Sequence, residues 1–291
     1  MARMNGVKDT ARGRPTRPER CVPEADGSWL PKSGRFVGTT HRLDSLVGEG
    51  GVSRVYAAFD LTLSRRVAIK MLRPELSERE DLRTALVAEA RALAAFHHPR
   101  IVGIHGCDTH RGEPFVVMEL VDGADLSVRI KESGGYLPLV FAREVIAGMA
   151  EGVAAMHDAG TPHGDLKPSN VLVDARGCVK LIDVGCLASG LGIEGTPAYM
   201  APERRNGGGP SAADDLYAFA VTAHEILTGS RAHDKPIASR SGPTFEPMVA
   251  AHRGVSPDVD VLLALALSVE PGARPRGITP FASALLRALV R

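Results

Sequence analysis

The 291 residues carry 35 Lys and Arg against 34 Asp and Glu, a formal net charge of +1, so no overall field favours nucleic acid or an anionic membrane surface. An apolar content of 44% suffices for a core of ordinary size in one large or two modest domains. No apolar run nears the ~18–20 residues that span a bilayer and no signal-peptide core stands at the start, so a soluble, cytoplasmic protein is expected.

Residues 1–34 hold Arg3, Lys8, Arg12, Arg14, Arg17 and Arg20 among Pro and Gly, with few apolar side chains. Such a segment buries too little surface to offset its ordering entropy, and it reads as a disordered basic arm. It could dock on an acidic partner, with a solvated tail the simpler reading. Trp29 and Leu30 stand out as side chains able to lie against the domain that follows. Next, Leu46 to Tyr56 clusters Gly48, Gly50 and Gly51 between apolar residues, ending in Val55. Glycine lets backbone amides approach a polyphosphate closely, and it equally suits a plain hairpin. Val67-Ala68-Ile69-Lys70 places a lysine inside an apolar strand, which costs free energy unless an anion partners it.

Residues 78–97, rich in Ala, Leu, Glu and Arg, predict a helix. Phe115 to Leu120 predicts a strand running into the turn Val121-Asp122-Gly123, and Leu139–His157 predicts a long amphipathic helix with a packing role. The chain then reaches His163-Gly164-Asp165-Leu166-Lys167-Pro168-Ser169-Asn170, followed by the short apolar strand Val171-Leu172-Val173. A second carboxylate, Asp183, comes thirteen residues after Asn170. Two acids, an amide and a lysine beside a proline-stiffened turn suit divalent-metal phosphate chemistry: one carboxylate can take a hydroxyl proton, while the amide and the other carboxylate can hold magnesium.

Beyond it lie Gly195 to Glu203, an apolar helix from Asp214 to Thr228, a polar Pro-rich stretch at 230–256, and a helix over 259–269. Pro271-Gly272-Ala273-Arg274-Pro275 and a closing helix over 278–290 complete the chain. Cys21, Cys107, Cys178 and Cys186 show no Cys-x-x-Cys spacing and read as free thiols of a reducing compartment. His105 and His110 have no further ligand at a suitable spacing and read as ordinary histidines.

The eight residues from His163 to Asn170 resemble the catalytic loop of protein kinases, and Asp183-Val184-Gly185 resembles their metal-binding Asp-Phe-Gly. The resemblance covers residues 36–291, with each major motif in order. It implies an α+β, two-lobed protein kinase fold: a small β-rich lobe over 35–120 and a larger helical lobe over 121–291. It implies ATP and Mg²⁺ as cofactors and a protein Ser or Thr as acceptor, as in bacterial Ser/Thr kinases of eukaryotic-like type. No attached sensor or membrane helix is expected.

By register, the resemblance assigns Asp165 as the base, Lys167 as the phosphoryl-side lysine, and Asn170 and Asp183 as metal ligands. Lys70 pairs with Glu89 and holds phosphates; Thr196 bonds the catalytic carboxylate and lysine. Gly48, Gly50, Gly51, Val55, Ala68, Met118 and Leu172 surround the nucleotide. The backbone of Glu119 and Val121 meets the adenine edge, and Asp125 stands near the ribose. Asp215 holds the catalytic loop from below, and Arg274 pairs with Glu203 in a buried ion pair.

Three positions depart from the family: Ser53 for the third glycine, Gly164 for the usual arginine and Val184 for phenylalanine. Without an arginine at 164, a phosphate on the activation loop has no anchor within the catalytic motif, and Ser189 is the one hydroxyl between Gly185 and Gly195. Independence from activation-loop phosphorylation is therefore expected. Two other readings share these residues. A pseudokinase scaffold would explain the departures, but every charged catalytic position is filled. Small-molecule phosphotransferases also often carry His-Gly-Asp, but they generally lack Lys167, the segment from Gly195 to Glu203, and Arg274.

Overall fold

The structure is a computed structural model that describes residues 36–174, 176–184, 196–230 and 255–289. The basic arm with Trp29 and Leu30, Cys21, Cys186, Ser189, and residues 231–254 of the polar stretch lie outside the described residues.

The smaller lobe is built on an antiparallel sheet. Its strands are β1 (Phe36–Val37), β2 (His41–Glu49), β3 (Ser53–Asp60), β4 (Arg65–Leu72), β5 (Ile104–His110) and β6 (Glu113–Met118). They lie in the order β1-β2-β3-β4-β6-β5. Alternation along β6 explains how the sheet is covered on both sides. Phe115 and Val117 join Val37, Leu43, Tyr56, Val67 and Ile69 on one face, while Val116 turns to the other. That second face is closed by α1 (Glu80–Ala94), which buries Leu82, Leu86, Ala90 and Leu93 at helical spacing. Removing one such leucine typically costs ~2–5 kcal/mol. The helix is shorter than residues 78–97. A 3₁₀ turn at Pro74–Leu76 precedes it, and Pro99 disfavours helical backbone at His98.

A second, small sheet of β7 (Gly123–Asp125), β8 (Val171–Asp174) and β9 (Val179–Leu181) lies beside the helices. The helical lobe comprises α2 (Leu126–Glu132), α3 (Leu139–Asp158), α4 (Pro202–Arg205), α5 (Ala212–Thr228), α6 (Asp258–Ala266) and α7 (Ile278–Ala288). The last two are a few residues shorter than the apolar runs 259–269 and 278–290 suggest. Helix α5 is buried on all sides from Asp214 to His224, as its near-continuous apolar sequence requires of a central helix. The Ser211 side chain caps its start by accepting from Asp214 N–H, and Gly229, at φ +78°, ends it in the left-handed conformation.

Two glycines of α3 set the site's floor. A Cβ at Gly152 would stand 2.7 Å from the Leu181 side chain, and one at Gly148 would stand 2.9 Å from Val179. Their absence lets β9 lie directly on α3. Leu181 N–H also donates to Arg100 O at 2.8 Å, and Ile182 N–H donates to Asn170 O at 3.0 Å. The strand that delivers Asp183 is thus tied to the segment between α1 and β5 and to the turn that carries Asn170.

Candidate active site

The catalytic-loop residues are held from beneath by one buried carboxylate. Asp215, whose side chain is 1% exposed, accepts from His163 N–H at 2.7 Å, Gly164 N–H at 2.8 Å and His157 Nε2–H at 2.7 Å. Gly164 has φ +76°, a turn that a residue with a Cβ adopts only under strain. His163 is fully buried, and burial pulls its pKa below the usual histidine value.

Above this anchor, Lys167 Nζ donates to Asp165 Oδ2 at 2.7 Å and to the Thr196 hydroxyl at 3.0 Å. Thr196 meets the carboxylate through its backbone, N–H to Asp165 Oδ1 at 3.4 Å, while its hydroxyl serves the lysine. A 3₁₀ turn over Pro168–Asn170 brings Asn170 back beneath Asp165. The Asn170 amide nitrogen donates to Asp165 O at 2.8 Å and Oδ2 at 3.0 Å. Its amide oxygen is therefore the group left to face a cation.

A second charged cluster joins the lobes. Lys70 Nζ donates to Glu89 at 2.9 and 3.0 Å and to Asp183 Oδ1 at 2.8 Å. Burial alone would lower the Lys70 pKa, but the two carboxylates drive it well above its ordinary value. Burial opposes ionisation of Asp183 as well, yet Lys70 beside it holds its pKa below the usual carboxylate value. Asp183 has φ +56°, an uncommon conformation for a side-chain-bearing residue that aspartate tolerates better than most. Val184 is buried in the main core.

The expected nucleotide-binding residues form the wall between the lobes. Gly48 pairs with Val55 across the β2–β3 hairpin, whose turn is closed by Gly50 N–H to Ser53 O at 2.8 Å. Arg54 and Glu49 bridge the base of that hairpin at 3.0 Å. Gly51 lies in the same turn and is exposed. Ala68 and Met118 are register partners at the back of the cleft, and Leu172 on β8 is partly buried. Glu119 is pinned by its N–H to Gly103 O at 2.8 Å and by its carboxylate to Lys180 at 2.8 Å. Val121 O accepts from Gly123 N–H at 3.1 Å. Asp125 caps α2, accepting from Val128 N–H at 3.1 Å and from the Ser127 hydroxyl. Part of its carboxylate is thus already engaged locally.

On the far side, Arg274 makes a two-pronged bond to Glu203, at 2.6 and 2.8 Å. The arginine side chain is 1% exposed and the glutamate 28%, so the pair is buried at one end only. Sequence reasoning missed three residues here. His157, seen only as the end of a packing helix, is a second-layer donor to Asp215. Arg204 and Asp214 lie together beneath Gly164, their charged groups 3.3 Å apart. The signal for them was slight: two adjacent acids, Asp214 and Asp215, at the start of an otherwise apolar helix.

A curled antiparallel sheet over a helical lobe, with a lysine–glutamate pair and an Asp/Lys/Asn loop at their junction, defines the two-lobed kinase architecture. The chain belongs to the protein kinase domain family, whose model matches residues 41–276. It is 34% identical over 273 residues to serine/threonine-protein kinase PksC of Streptomyces coelicolor, with 86% of this chain and 49% of that protein covered. It is 32% identical over 271 residues to PknA of Mycobacterium tuberculosis, with 88% of this chain and 62% of that protein covered. The chain thus spans about half to three fifths of the length of these relatives. The crystal structure of the Mycobacterium tuberculosis PknI kinase domain superposes with a TM-score of 0.72 at 24% identity, covering 89% of this chain and 99% of that one. Among the described residues, no helix is long and apolar enough to cross a membrane.

Proposed function

We propose that this chain is a Ser/Thr protein kinase, transferring the ATP γ-phosphoryl group to protein serine or threonine hydroxyls. The observation that carries this reading is the convergence of Asp165, Lys167, Asn170 and Thr196 in one hydrogen-bonded cluster. Support for Ser/Thr acceptors comes from the names of the curated relatives and from the Lys167–Thr196 bond.

Asp165 Oδ2 is engaged by Lys167 and Asn170, whereas Oδ1, among the described residues, has the longer contact to Thr196 N–H. Oδ1 is the atom suited to accept the proton of an incoming hydroxyl. Lys167 offers a cation to phosphoryl oxygens beside that hydroxyl. Lys70, kept protonated by its two acids, offers a second cation to the other phosphates. The Asn170 amide oxygen and the Asp183 carboxylate are hard oxygen donors that fit magnesium, which when bound there would neutralise phosphate charge. Exposed free thiols at Cys107 and Cys178 fit a reducing, cytoplasmic setting. Activity without activation-loop phosphorylation belongs to this reading, because Gly164 has no side chain to anchor a phosphate.

The test is transfer from labelled ATP by the purified protein, onto itself and onto a generic basic protein, wild type beside Asp165→Asn. Label on serine or threonine in wild type, reduced by ~10²–10⁴-fold in the variant, is expected. Equal transfer by both proteins would overturn the assignment of Asp165.

A further inference from the structure

Gly164 supplies no side chain beneath the catalytic loop, and another residue reaches in from a different element. The Arg204 guanidinium, on α4, approaches Gly164 O at 3.5 Å, Asp214 Oδ2 at 3.3 Å and Gly208 O at 3.3 Å. Its side chain is 9% exposed and that of Asp214 is 6%. The catalytic loop, the start of α5 and the turn after α4 therefore converge on one planar cation. A small cavity here is bounded by Gly164, Asp165, Thr196, Arg204 and Asp214, so the arginine shares a wall with the base itself.

We propose that Arg204, held by Asp214, is a positioning residue that fixes the catalytic loop from the place where Gly164 offers no side chain. This rests on the kinase reading given above. Stability alone accounts poorly for the pair. Taking an arginine and an aspartate out of water costs several kcal/mol per ion, and attraction repays this only with good geometry and further hydrogen bonds. Asp214 shows the imbalance. Burial, then the neighbouring Asp215, push its carboxyl up to about 7, with Glu203 adding to them; Arg204 and the Ala201 N–H pull the other way. A buried pair that gains so little is better explained by the geometry it specifies. Arginine suits that task, because its rigid fork can meet several acceptors at once, which a lysine ammonium on a flexible stem does less well.

The loop's orientation would then be set by two buried carboxylates acting from below: Asp215 directly on the His163 and Gly164 amides, and Asp214 through Arg204 on the Gly164 carbonyl. Both carboxylates stand at the start of α5, outside the segment between Val184 and Thr196. The positioning would be built into the fold.

The experiment compares the whole chain as wild type, Arg204→Met, Arg204→Lys and Asp214→Asn. Backbone hydrogen exchange over residues 162–170 is measured beside kcat and the KM for ATP. In Arg204→Met, exchange in this segment should rise about tenfold, as expected for losing a hydrogen bond from a charged donor. kcat should fall by a similar factor with the KM for ATP within about twofold, the pattern of an interaction made only in the transition state. Arg204→Lys should recover part of both losses. If Arg204→Met does not fold, Asp214→Asn, which preserves volume, decides by the same exchange measurement. Exchange that rises only in α4 and α5 while residues 162–170 stay protected would overturn the proposal. A wild type that transfers no phosphate would sink the kinase reading, and the exchange data would still decide whether Arg204 holds the loop.

Discussion

Replacing Arg274 by alanine strips five hydrogen bonds from one buried point. Two go to the Glu203 carboxylate at 2.6 and 2.8 Å, and the others go to Ser268 O at 2.9 Å, Ala213 O at 2.9 Å and Val269 O at 3.4 Å. The guanidinium also lies 5.0 Å from the centre of the Tyr217 ring. Breaking one side of a buried ion pair typically costs ~3–5 kcal/mol, because the other charge stays behind unpaired. Glu203 is 28% exposed, so water can reach it and relieve part of that penalty. The lower end, about 3 kcal/mol, is therefore the fair expectation. At roughly 2–4 °C per kcal/mol for a domain of this size, Tm should fall by about 6–12 °C.

Calorimetry or dye-monitored melting at neutral pH reads this directly. A pH series adds a second check. Burial opposes ionisation of Glu203, but Arg274 beside it brings its pKa below the ordinary glutamate value. A depressed carboxyl contributes stability that is present above its unfolded pKa and is lost as pH falls through the folded one. The gap between wild type and Arg274→Ala should therefore narrow in acid. A Tm change below about 2 °C at neutral pH would show that the pair does not tie α4 to the C-terminal helices.

Lys70→Met should lower transfer by ~10²–10³-fold, as for loss of one preorganised charge-stabilising donor, read by single-turnover transfer from labelled ATP. An unaffected rate would remove Lys70 from the site. For Asp214, the native carboxyl titrates at about 7 while the unfolded one titrates near the ordinary ~3.9. The native state then holds a proton that the unfolded chain lacks, so this group's contribution to stability declines as pH rises from about 4 to 7. Relative to wild type, Asp214→Asn should thus gain stability between pH 5 and pH 8 in denaturant titrations. A constant difference across that range would refute the shift. Protein prepared free of phosphate, and the Ser189→Ala variant, should both phosphorylate substrate at wild-type initial rates without a lag. A lag abolished by prior incubation with ATP, and no longer relieved in Ser189→Ala, would show that activation-loop phosphorylation is needed.

The architecture was legible because the family's motifs occur in order along the chain and because periodicity is a local property. The short continuous apolar run Phe115 to Met118, buried throughout, and the spacing of Leu82, Leu86, Ala90 and Leu93 encode a strand covered on both faces and a helix. A lysine in the apolar strand Val67–Lys70 likewise demands an anion, since no strand buries an ammonium alone. Several acids stand on the following helix, and Glu89 was distinguished from them by register. The distance of 2.9 Å belongs to the folded packing of α1 on the sheet. The ion pair of Arg274 with Glu203 was likewise anticipated from register, but its one-sided burial was not.

What lay beyond the sequence were the contacts made by residues with no motif. His157 ends a helix whose composition speaks only of packing, and it meets Asp215 because α3 and α5 cross beneath the catalytic loop. Arg204 and Asp214 are ten residues apart, with a glycine-rich turn between them, and nothing local brings their charges to 3.3 Å. Sequence by itself determined the elements and the ionisable groups that chemistry requires. Only the tertiary structure decided which charges share a buried space, because that depends on how helices cross and on what each buried charge must find there once water is excluded.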